Sequence, residues 1–223
     1  MIVVHHLNNS RSQRVLWLLE ELGLAYEVRR YQRDAKTMLA PPELRGVHPL
    51  GKSPVIQDGE VTLAESGAIL EYLVGRHGNG RLIPAAGTPE RLRYTYWMHF
   101  AEGSAMPPLL MKLVFDRIEK APMPFFVRPV ARAIARRARG SFVQPNIDRS
   151  LDFMEGELAN SDWFAGAQFS AADVQMSFPL EAAQVRGGLD ARCSRLMGFL
   201  ARIHARPAYR RAIEKGGAYA LLR

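Results

Sequence analysis

The chain has 223 residues, 48% of them hydrophobic, and a formal net charge of +8. That length allows one large domain or two small ones with packed cores, and the single cysteine, Cys193, excludes an internal disulfide framework and lacks the neighbours of a metal cluster. No basic-then-apolar leader opens the sequence, and no apolar run reaches the roughly 18 residues of a membrane span. We therefore expect a soluble, cytoplasmic protein.

The first thirty residues alternate between strand and helix patterns. Residues 2–4 predict a strand, and apolar side chains between 15 and 22 recur at the spacing of a helix that Gly23 should end. Residues 26–29 alternate as a second strand. The order is strand, helix, strand, as in a thioredoxin-like domain.

A proline marks the next strand. Pro54 opens an apolar run, and because proline cannot donate to a sheet ladder we expect it at the first strand position, with the main chain of Ser53 left free for a ligand. Asp58-Gly59 is a two-residue hairpin signal, after which residues 61–63 return as an antiparallel partner. Ser66 should then cap a helix, which places Glu65 and Ser66 where free N–H groups attract carboxylates.

Two turn-rich stretches separate this region from the rest of the chain. Glycine and proline cluster at residues 78–80 and 84–87, and the pattern beyond them is almost purely helical. We place the domain boundary near residues 77–88, with one domain over residues 1–80 and an all-helical one over 88–223.

These motifs together resemble the glutathione transferase family. The segments that carry the resemblance are residues 10–22, 33–35, 40–44, 48–54 and the pair Glu65-Ser66. The likeness covers nearly the whole chain and is nearest to the fungal Gtt1-type and related bacterial members. It implies an α/β thioredoxin-like N-terminal domain with Pro54 in the cis state, followed by an all-α helical C-terminal domain.

The resemblance also implies the groups that hold glutathione. Lys52 would neutralise the glycyl carboxylate, and the main chain of Ser53 beside Pro54 would pair with the cysteinyl unit. Glu65 would accept from the α-ammonium group, while Ser66 would donate to the γ-glutamyl carboxylate. No other cofactor is expected, and no metal site, since His5 and His6 have no ligand-spaced partner.

The thiol of glutathione needs a donor that stabilises its anion, because a thiol with a pKa of about 8.5 is mostly protonated at neutral pH. Candidate groups at the start of the first helix are Asn9, Ser10, Arg11 and Ser12. Serine-type transferases carry a catalytic hydroxyl in this loop, but Asn9 stands where several of them have it. Ser10 is favoured and Asn9 is the alternative; Arg11 is assigned to glutathione binding and Ser12 to capping the helix. The segment contains no tyrosine or cysteine, which argues against tyrosine-type and cysteine-type mechanisms.

The helical domain supplies the expected electrophile site. An apolar stripe over residues 94–101 predicts core or dimer packing on a helix that Pro107-Pro108 should end or kink. The matching helix in transferases lines the cleft between the domains, so Glu102 and Met106 are candidate contacts for the electrophile. Further on, Ser170 and Asp173 have the spacing of a capping box.

Residues 117–139 carry most of the excess charge. Seven basic residues against Glu119 give this segment +6 of the total +8. The segment reads as a basic amphipathic helix, which could be a solvated face, lie weakly on an anionic membrane surface or attract an acidic substrate. We expect no nucleic-acid binding, because no binding module accompanies the charge.

The sequence thus predicts a homodimeric detoxification enzyme that activates the glutathione thiol and conjugates it to a small hydrophobic electrophile. Two alternatives stay open. The chain could be a non-catalytic regulatory or interaction protein of the same fold, or it could carry out glutathione-dependent peroxide or disulfide reduction.

Overall fold

The computed structural model describes residues 1–221, in which a small sheet with two helices precedes a bundle of helices. The strands are β1 (Ile2–Leu7), β2 (Tyr26–Tyr31), β3 (Val55–Asp58) and β4 (Val61–Ala64). The helices are α1 (Ser12–Leu22), α2 (Ser66–His77), α3 (Pro89–Phe100), α4 (Met106–Lys120), α5 (Arg128–Ala138), α6 (Gln144–Glu157), α7 (Ala171–Arg186), α8 (Ser194–Ala205) and α9 (Pro207–Gly216). This confirms the predicted class, a thioredoxin-like α/β domain followed by an all-α one.

The sheet has the order β2-β1-β3-β4. β1 is parallel to β2 and antiparallel to β3, so Val4 lies between Val28 and Ile56. β3 and β4 form the predicted hairpin, but Asp58 pairs with Val61. The loop is therefore Gly59-Glu60, one residue later than predicted, and Gly59 takes the positive φ of +59° that the turn requires.

Helix α1 is buried on nearly all sides. Trp17 is fully buried and packs against Phe169 and, edge to face, against Tyr209 of the helical domain, with ring centroids 5.6 and 5.1 Å apart. A helix between a sheet and a second layer of helices is apolar all round. Gly23 ends α1 as predicted, with a φ of +69° and its N–H bonded to the carbonyls of Leu19 and Glu20.

Two predicted serine caps are wrong. The N-cap of α1 is Arg11 and that of α2 is Glu65, and neither helix has a side-chain cap. The hydroxyls of Ser12 and Ser66 instead form hydrogen bonds with the buried side chains of His6 and Arg14, respectively, because buried polar groups need partners within the protein. The capping box of α7 is confirmed, with the Ser170 N–H donating to the Asp173 carboxylate at 2.8 Å.

The long helix expected around residue 100 is interrupted before its prolines. A π-helical turn, Ala101–Ala105, separates α3 from α4, and Pro107 and Pro108 lie in the first turn of α4. Proline lacks an N–H and its ring crowds the carbonyl four residues earlier, so the irregularity falls on the preceding turn. The prediction that the prolines themselves end or kink the helix placed the break too late.

The basic segment 117–139 is not one helix. It comprises the last turn of α4, an irregular stretch with Pro122 and Pro124, and α5 packed back against α4. The predicted boundary at residues 77–88 lies between the end of α2 and the start of α3. The predicted domain 88–223 includes Leu222 and Arg223, which lie outside the described residues. Within residues 1–221, none of the helices combines the length and apolarity needed to cross a membrane.

Candidate functional site

The loop between β1 and α1 carries Asn9 and Ser10, the two residues predicted to donate a hydrogen bond to the thiolate sulfur. Asn9 has a φ of +50°, a left-handed conformation that asparagine adopts more readily than most residues. Its side-chain Oδ1 accepts a hydrogen bond from the main-chain N–H of Ala220 at 2.7 Å. The described contacts give no partner to Nδ2, so the amide keeps its two N–H donors.

Ser10 is held differently, since only 3% of it is exposed. Its Oγ accepts from the Ser12 N–H at 3.2 Å and lies 2.7 Å from the Ser12 Oγ. The Ser12 Oγ lies in turn 2.8 Å from Nδ1 of His6. These groups form a buried chain of hydroxyls that ends on an imidazole, which we call the serine relay (Ser10, Ser12, His6).

The state of His6 sets the direction of the serine relay. Burial, reinforced by the charge of Arg30, lowers the pKa of His6 to about 4, so the ring is neutral at pH 7. A neutral imidazole has one donor and one acceptor nitrogen. With the ring N–H on Nε2, towards the backbone of Gly216, Nδ1 accepts from Ser12. The Ser12 Oγ also lies 3.4 Å from the Leu7 carbonyl, a longer contact for the same proton. In this tautomer Ser12 accepts from Ser10, and the Ser10 proton points into the protein.

The Ser53-Pro54 peptide bond is cis, as the resemblance implied. Pro54 is buried immediately before β3, and Ser53 is fixed to β1, donating from Oγ to the His5 carbonyl at 2.8 Å and accepting from the Leu7 N–H at 3.1 Å. Within residues 1–221, no hydrogen bond uses the main-chain N–H or C=O of Ser53. Its side chain therefore anchors the loop while its main chain remains available. Lys52 beside it is exposed.

Ser66 lies at the start of α2, where it meets a residue that the sequence reasoning missed. Arg14 is completely buried, and its Nη2 donates to the Ser66 Oγ at 2.9 Å while Nη1 donates to the Gln175 carbonyl at 2.6 Å. A charged residue among the apolar positions of α1 was the available signal, because a buried arginine requires partners. Glu65, next to Ser66, is exposed and has a φ of +70°, unusual for a residue with a side chain.

Glu102 joins the two domains. Its carboxylate accepts from Arg14 Nη2 at 2.5 Å and from Arg11 Nε at 2.8 Å, and both guanidiniums lie over the Phe178 ring. Burial alone would raise the pKa of Glu102, but the charges of Arg14 and Arg11 outweigh it and hold the pKa below its ordinary value. The carboxylate is ionised and committed to these arginines.

Met106 does not lie where an electrophile could reach it. Only 3% of it is exposed, and it packs within the hydrophobic core together with Leu109. Its position at the start of α4, just after the π-helical turn, points it inward. The structure thus gives no support to Met106 as an electrophile contact, and it places Glu102 in an ion-pair cluster.

These groups can bind anions and a thiolate. The start of α1 offers main-chain N–H groups and the amide of Asn9, and the start of α2 offers Ser66 backed by a permanent charge. Within the described part of the chain, no group of three or more histidine, cysteine, aspartate or glutamate side chains is arranged to hold a metal ion. The geometry suits recognition of a thiol with carboxylates at its ends.

Comparison with known proteins agrees with this geometry. Residues 1–75 match the family model of the glutathione S-transferase N-terminal domain, and residues 129–214 match that of the C-terminal domain. Glutathione S-transferase 3 of Schizosaccharomyces pombe is 39% identical over 96% of this chain and 88% of its own length, and glutathione S-transferase 1 of Saccharomyces cerevisiae is 36% identical over 82% and 81%. A glutathione S-transferase structure from Actinobacillus pleuropneumoniae superposes with a TM-score of 0.81 at 32% identity, covering 100% of this chain and 96% of that one. The chain therefore belongs to the glutathione S-transferase family of enzymes.

Proposed function

We propose that this enzyme conjugates the sulfur of glutathione to a small hydrophobic electrophile, as a homodimer in the cytoplasm, and that the amide of Asn9 stabilises the thiolate. The observation that carries the assignment is the direction of the serine relay. With Nδ1 of His6 as the acceptor, Ser10 gives its proton to Ser12, whereas Asn9 keeps two amide N–H groups at the positive end of α1.

The energy required is within reach of these groups. Lowering the thiol pKa by about two units takes about 2.7 kcal/mol of preferential stabilisation of the anion. A hydrogen bond to a charged group contributes about 1.5–3 kcal/mol, and a helix N-terminus adds about 0.3–1 kcal/mol. One amide donor together with the start of α1 therefore suffices.

The remaining groups hold the ends of glutathione. The γ-glutamyl carboxylate binds at Ser66, where Arg14 adds a permanent positive charge 2.9 Å from the hydroxyl. Glu65 accepts from the α-ammonium group, and Lys52 neutralises the glycyl carboxylate. The main chain of Ser53 pairs with the cysteinyl unit. Arg11 supports this site through its ion pair with Glu102.

The chemical step is a substitution or addition at carbon. The thiol releases its proton to solvent, and the thiolate attacks the electrophilic carbon to form a carbon–sulfur bond. Where a leaving group is present, its bond to carbon breaks and it departs with the electron pair. The protein contributes the anion-stabilising groups and the positioning.

The test compares Asn9→Ala with Ser10→Ala, using Asn79→Ala as a control, because Asn79 is an exposed asparagine that shares the positive φ of Asn9 but follows α2. We expect Asn9→Ala to raise the pKa of the bound thiol by one to two units, as expected for loss of about 1.5–3 kcal/mol, and to lower kcat/KM at neutral pH by roughly tenfold or more. Ultraviolet absorbance of the thiolate reports the pKa, and the defect should shrink as pH rises.

A shift in Ser10→Ala with none in Asn9→Ala would return the role to Ser10. An unchanged pKa in both variants would favour the non-catalytic alternative. Turnover of hydroperoxides or disulfides without conjugation of halogenated aromatics would favour the reductive alternative.

The dimer and a membrane contact are further parts of the proposal. Leu92, Tyr96 and Phe153 are exposed by 74, 48 and 39%, and the last two rings lie 6.3 Å apart, which suits a face for a second copy. Phe125 and Phe126, exposed by 81 and 68% beside the arginines of α5, suit weak contact with an anionic membrane surface.

A further inference from the structure

The chain continues past α9 and returns to the loop of Asn9. Gly216, the last residue of α9, lies so close to α1 that a Cβ there would be 2.8 Å from Gln13 Oε1. Gly217 has a φ of +88°, a conformation open to glycine because it has no Cβ, and the helical path ends there. We call the described residues from this point, 217–221, the α9 extension. Its starting point is thus fixed against the helix that begins beside Asn9.

The α9 extension is held by side chains on both sides of one exposed residue. Tyr219 and Leu221 are 8 and 7% exposed and belong to the hydrophobic core, whereas Ala220 between them is exposed. The main-chain N–H of Ala220 donates to Oδ1 of Asn9 at 2.7 Å. The position of this donor therefore depends on where its two neighbours are fixed.

A buried carboxylate fixes Tyr219. Glu181 of α7 is 1% exposed, and its Oε2 accepts from the Tyr219 hydroxyl at 2.6 Å. Burial raises the pKa of this phenol well above its ordinary value, so the hydroxyl keeps its proton and donates it. The second oxygen, Oε1, accepts from the Tyr209 hydroxyl at 2.6 Å and lies 3.2 Å from Nε2 of His204. A buried carboxylate requires such partners, which makes the bond from Tyr219 part of the packed core.

These contacts connect α7 with the residue proposed to stabilise the thiolate. Glu181 holds the Tyr219 hydroxyl, and the residue after Tyr219 holds the side-chain oxygen of Asn9. Fixing the oxygen of a planar amide also fixes the direction of its two N–H groups. We propose that Tyr219 acts as a positioning residue: its bond to Glu181 orients the amide of Asn9 towards the sulfur of glutathione. This inference rests on the proposed function.

The experiment compares two variants that each remove one hydroxyl from the same carboxylate. Tyr219→Phe removes the bond to Oε2 of Glu181, and Tyr209→Phe removes the bond of equal length to Oε1. Both rings remain, so the aromatic packing is kept. Tyr209 lies within α9, whereas Tyr219 is adjacent to the residue that holds Asn9. Only Tyr219→Phe should therefore loosen the contact to Asn9.

The first measurement is the pKa of enzyme-bound glutathione, followed by thiolate absorbance. We expect Tyr219→Phe to raise this pKa by about half to one unit and to lower kcat/KM at neutral pH by about three- to tenfold, because the donor is misoriented but still present. The defect should shrink as pH rises, and Tyr209→Phe should have the thiol pKa of the wild type. A residue with only a structural role would lower the free energy of unfolding without moving this pKa. In an enzyme whose Asn9→Ala variant shows the shift, equal shifts in the two tyrosine variants, or none in either, would overturn the inference.

Failure of the proposed role of Asn9 is recognised separately. If Asn9→Ala leaves the thiol pKa unchanged, the positioning is measured without turnover, by nuclear magnetic resonance of the isotope-labelled protein. The side-chain amide signal of Asn9 is identified by its absence from the Asn9→Ala spectrum, and hydrogen exchange reports on the Ala220 N–H. Exchange about tenfold faster in Tyr219→Phe than in Tyr209→Phe, with a shifted Asn9 amide signal, would support the positioning while the catalytic assignment fails. Equal exchange at Ala220 in the two variants would refute it.

Discussion

The protonation state of one buried side chain, His6, determines the direction of the hydrogen bonds made by Ser12 and Ser10. Its ring is 4% exposed and neutral, and in the tautomer with the N–H on Nε2 it accepts from Ser12 at Nδ1. A proton on this ring would reverse the hydrogen bond and release Ser10 from its inward orientation. The neutral state of His6 therefore fixes the orientation of the Ser10 hydroxyl and makes the free energy of unfolding depend on pH.

His6 makes stability depend on pH in a defined direction. The pKa is about 4 in the folded chain against 6.5 as the ordinary value, so above pH 6.5 neither state is protonated and the full stability is present. As pH falls from 6.5 towards 4, the unfolded chain binds a proton that the folded chain does not, and this residue removes up to about 3 kcal/mol from the free energy of unfolding.

The measurement is urea unfolding at pH 7 and pH 4.5 for the wild type, His6→Gln and the exposed-site control His99→Gln. Glutamine can still accept from Ser12 but does not titrate. We expect His6→Gln to lose about 2 kcal/mol less than the other two proteins over this pH range. A pH-independent difference between His6→Gln and wild type would show that His6 does not titrate as described.

Residue roles were only partly predictable for a physical reason. The sequence placed Asn9 and Ser10 together at the start of a helix, and both do lie there. Which one keeps a free donor depends on partners far along the chain, Gly216 and Ala220, and no local pattern encodes those contacts. Arg14 was missed for the same reason, since its partners come from α2, the π-helical turn and α7.

At the level of elements, α4 and α5 form a helical hairpin with an exposed apolar side. On α4, Leu110, Val114 and Ile118 recur every four residues with 52, 48 and 39% exposure, and on α5 Val130 and Ile134 do so with 60 and 61%. An exposed apolar side shared by two helices marks a candidate interaction surface. Phe125 and Phe126 project at the turn between the two helices.

We predict salt-sensitive binding of this hairpin to anionic vesicles. The arginines of α5 supply attraction screened over about 8 Å at physiological salt, and the two phenylalanines supply apolar contact. Co-sedimentation should show binding to vesicles with phosphatidylserine at low salt and little at high salt or with neutral lipid. The double variant Phe125→Ser/Phe126→Ser should bind at least tenfold more weakly, because burying even part of two aromatic rings contributes more than 1.4 kcal/mol.

Phe142→Ser provides the control, since Phe142 is a 57% exposed aromatic residue outside the turn and its replacement should leave binding unchanged. Equal binding at low and high salt, or none at low salt, would contradict the prediction.

The spacing of apolar residues predicted the helices and strands better than it predicted the breaks within them. The buried face of α2 follows its apolar spacing, and Gly23 and the capping box mark ends that local chemistry determines. No comparable residue pattern signals the π-helical turns Ala101–Ala105 and Arg139–Val143. One extra residue within a helical turn shifts the register of the side chains without changing the amino-acid composition. Reading 117–139 as one helix was wrong because Pro122 and Pro124 break it.

For the whole molecule, the ion pair between Arg14 and Glu102 connects the two domains. Arg14 has 1% of its side chain exposed, so removing the carboxylate leaves a buried guanidinium without its counter-charge. We expect Glu102→Ala to lower the free energy of unfolding by on the order of 3 kcal/mol and to raise KM for glutathione, because the same guanidinium supports Ser66.

Glu157→Ala is the matched control in the same unfolding experiment. Glu157 pairs with Arg93, whose side chain is 40% exposed, and such a surface pair contributes less than about 1 kcal/mol. Equal losses in the two variants would show that the pair at Arg14 does not couple the domains. The double change Arg14→Met with Glu102→Leu should recover much of the stability.

The bond between Asn9 and Ala220 spans 211 positions of the chain, and this has a consequence for synthesis on the ribosome. Translation at about 5–20 residues per second delivers Ala220 some ten to forty seconds after Asn9. The strands and helices around Asn9 emerge early, but the contact that orients its amide cannot form until residue 220 has been made. Under the proposed role of Asn9, a nascent chain therefore carries the recognition surface for the thiol before it carries the oriented donor, and full stabilisation of the thiolate begins only after residue 220 has been added.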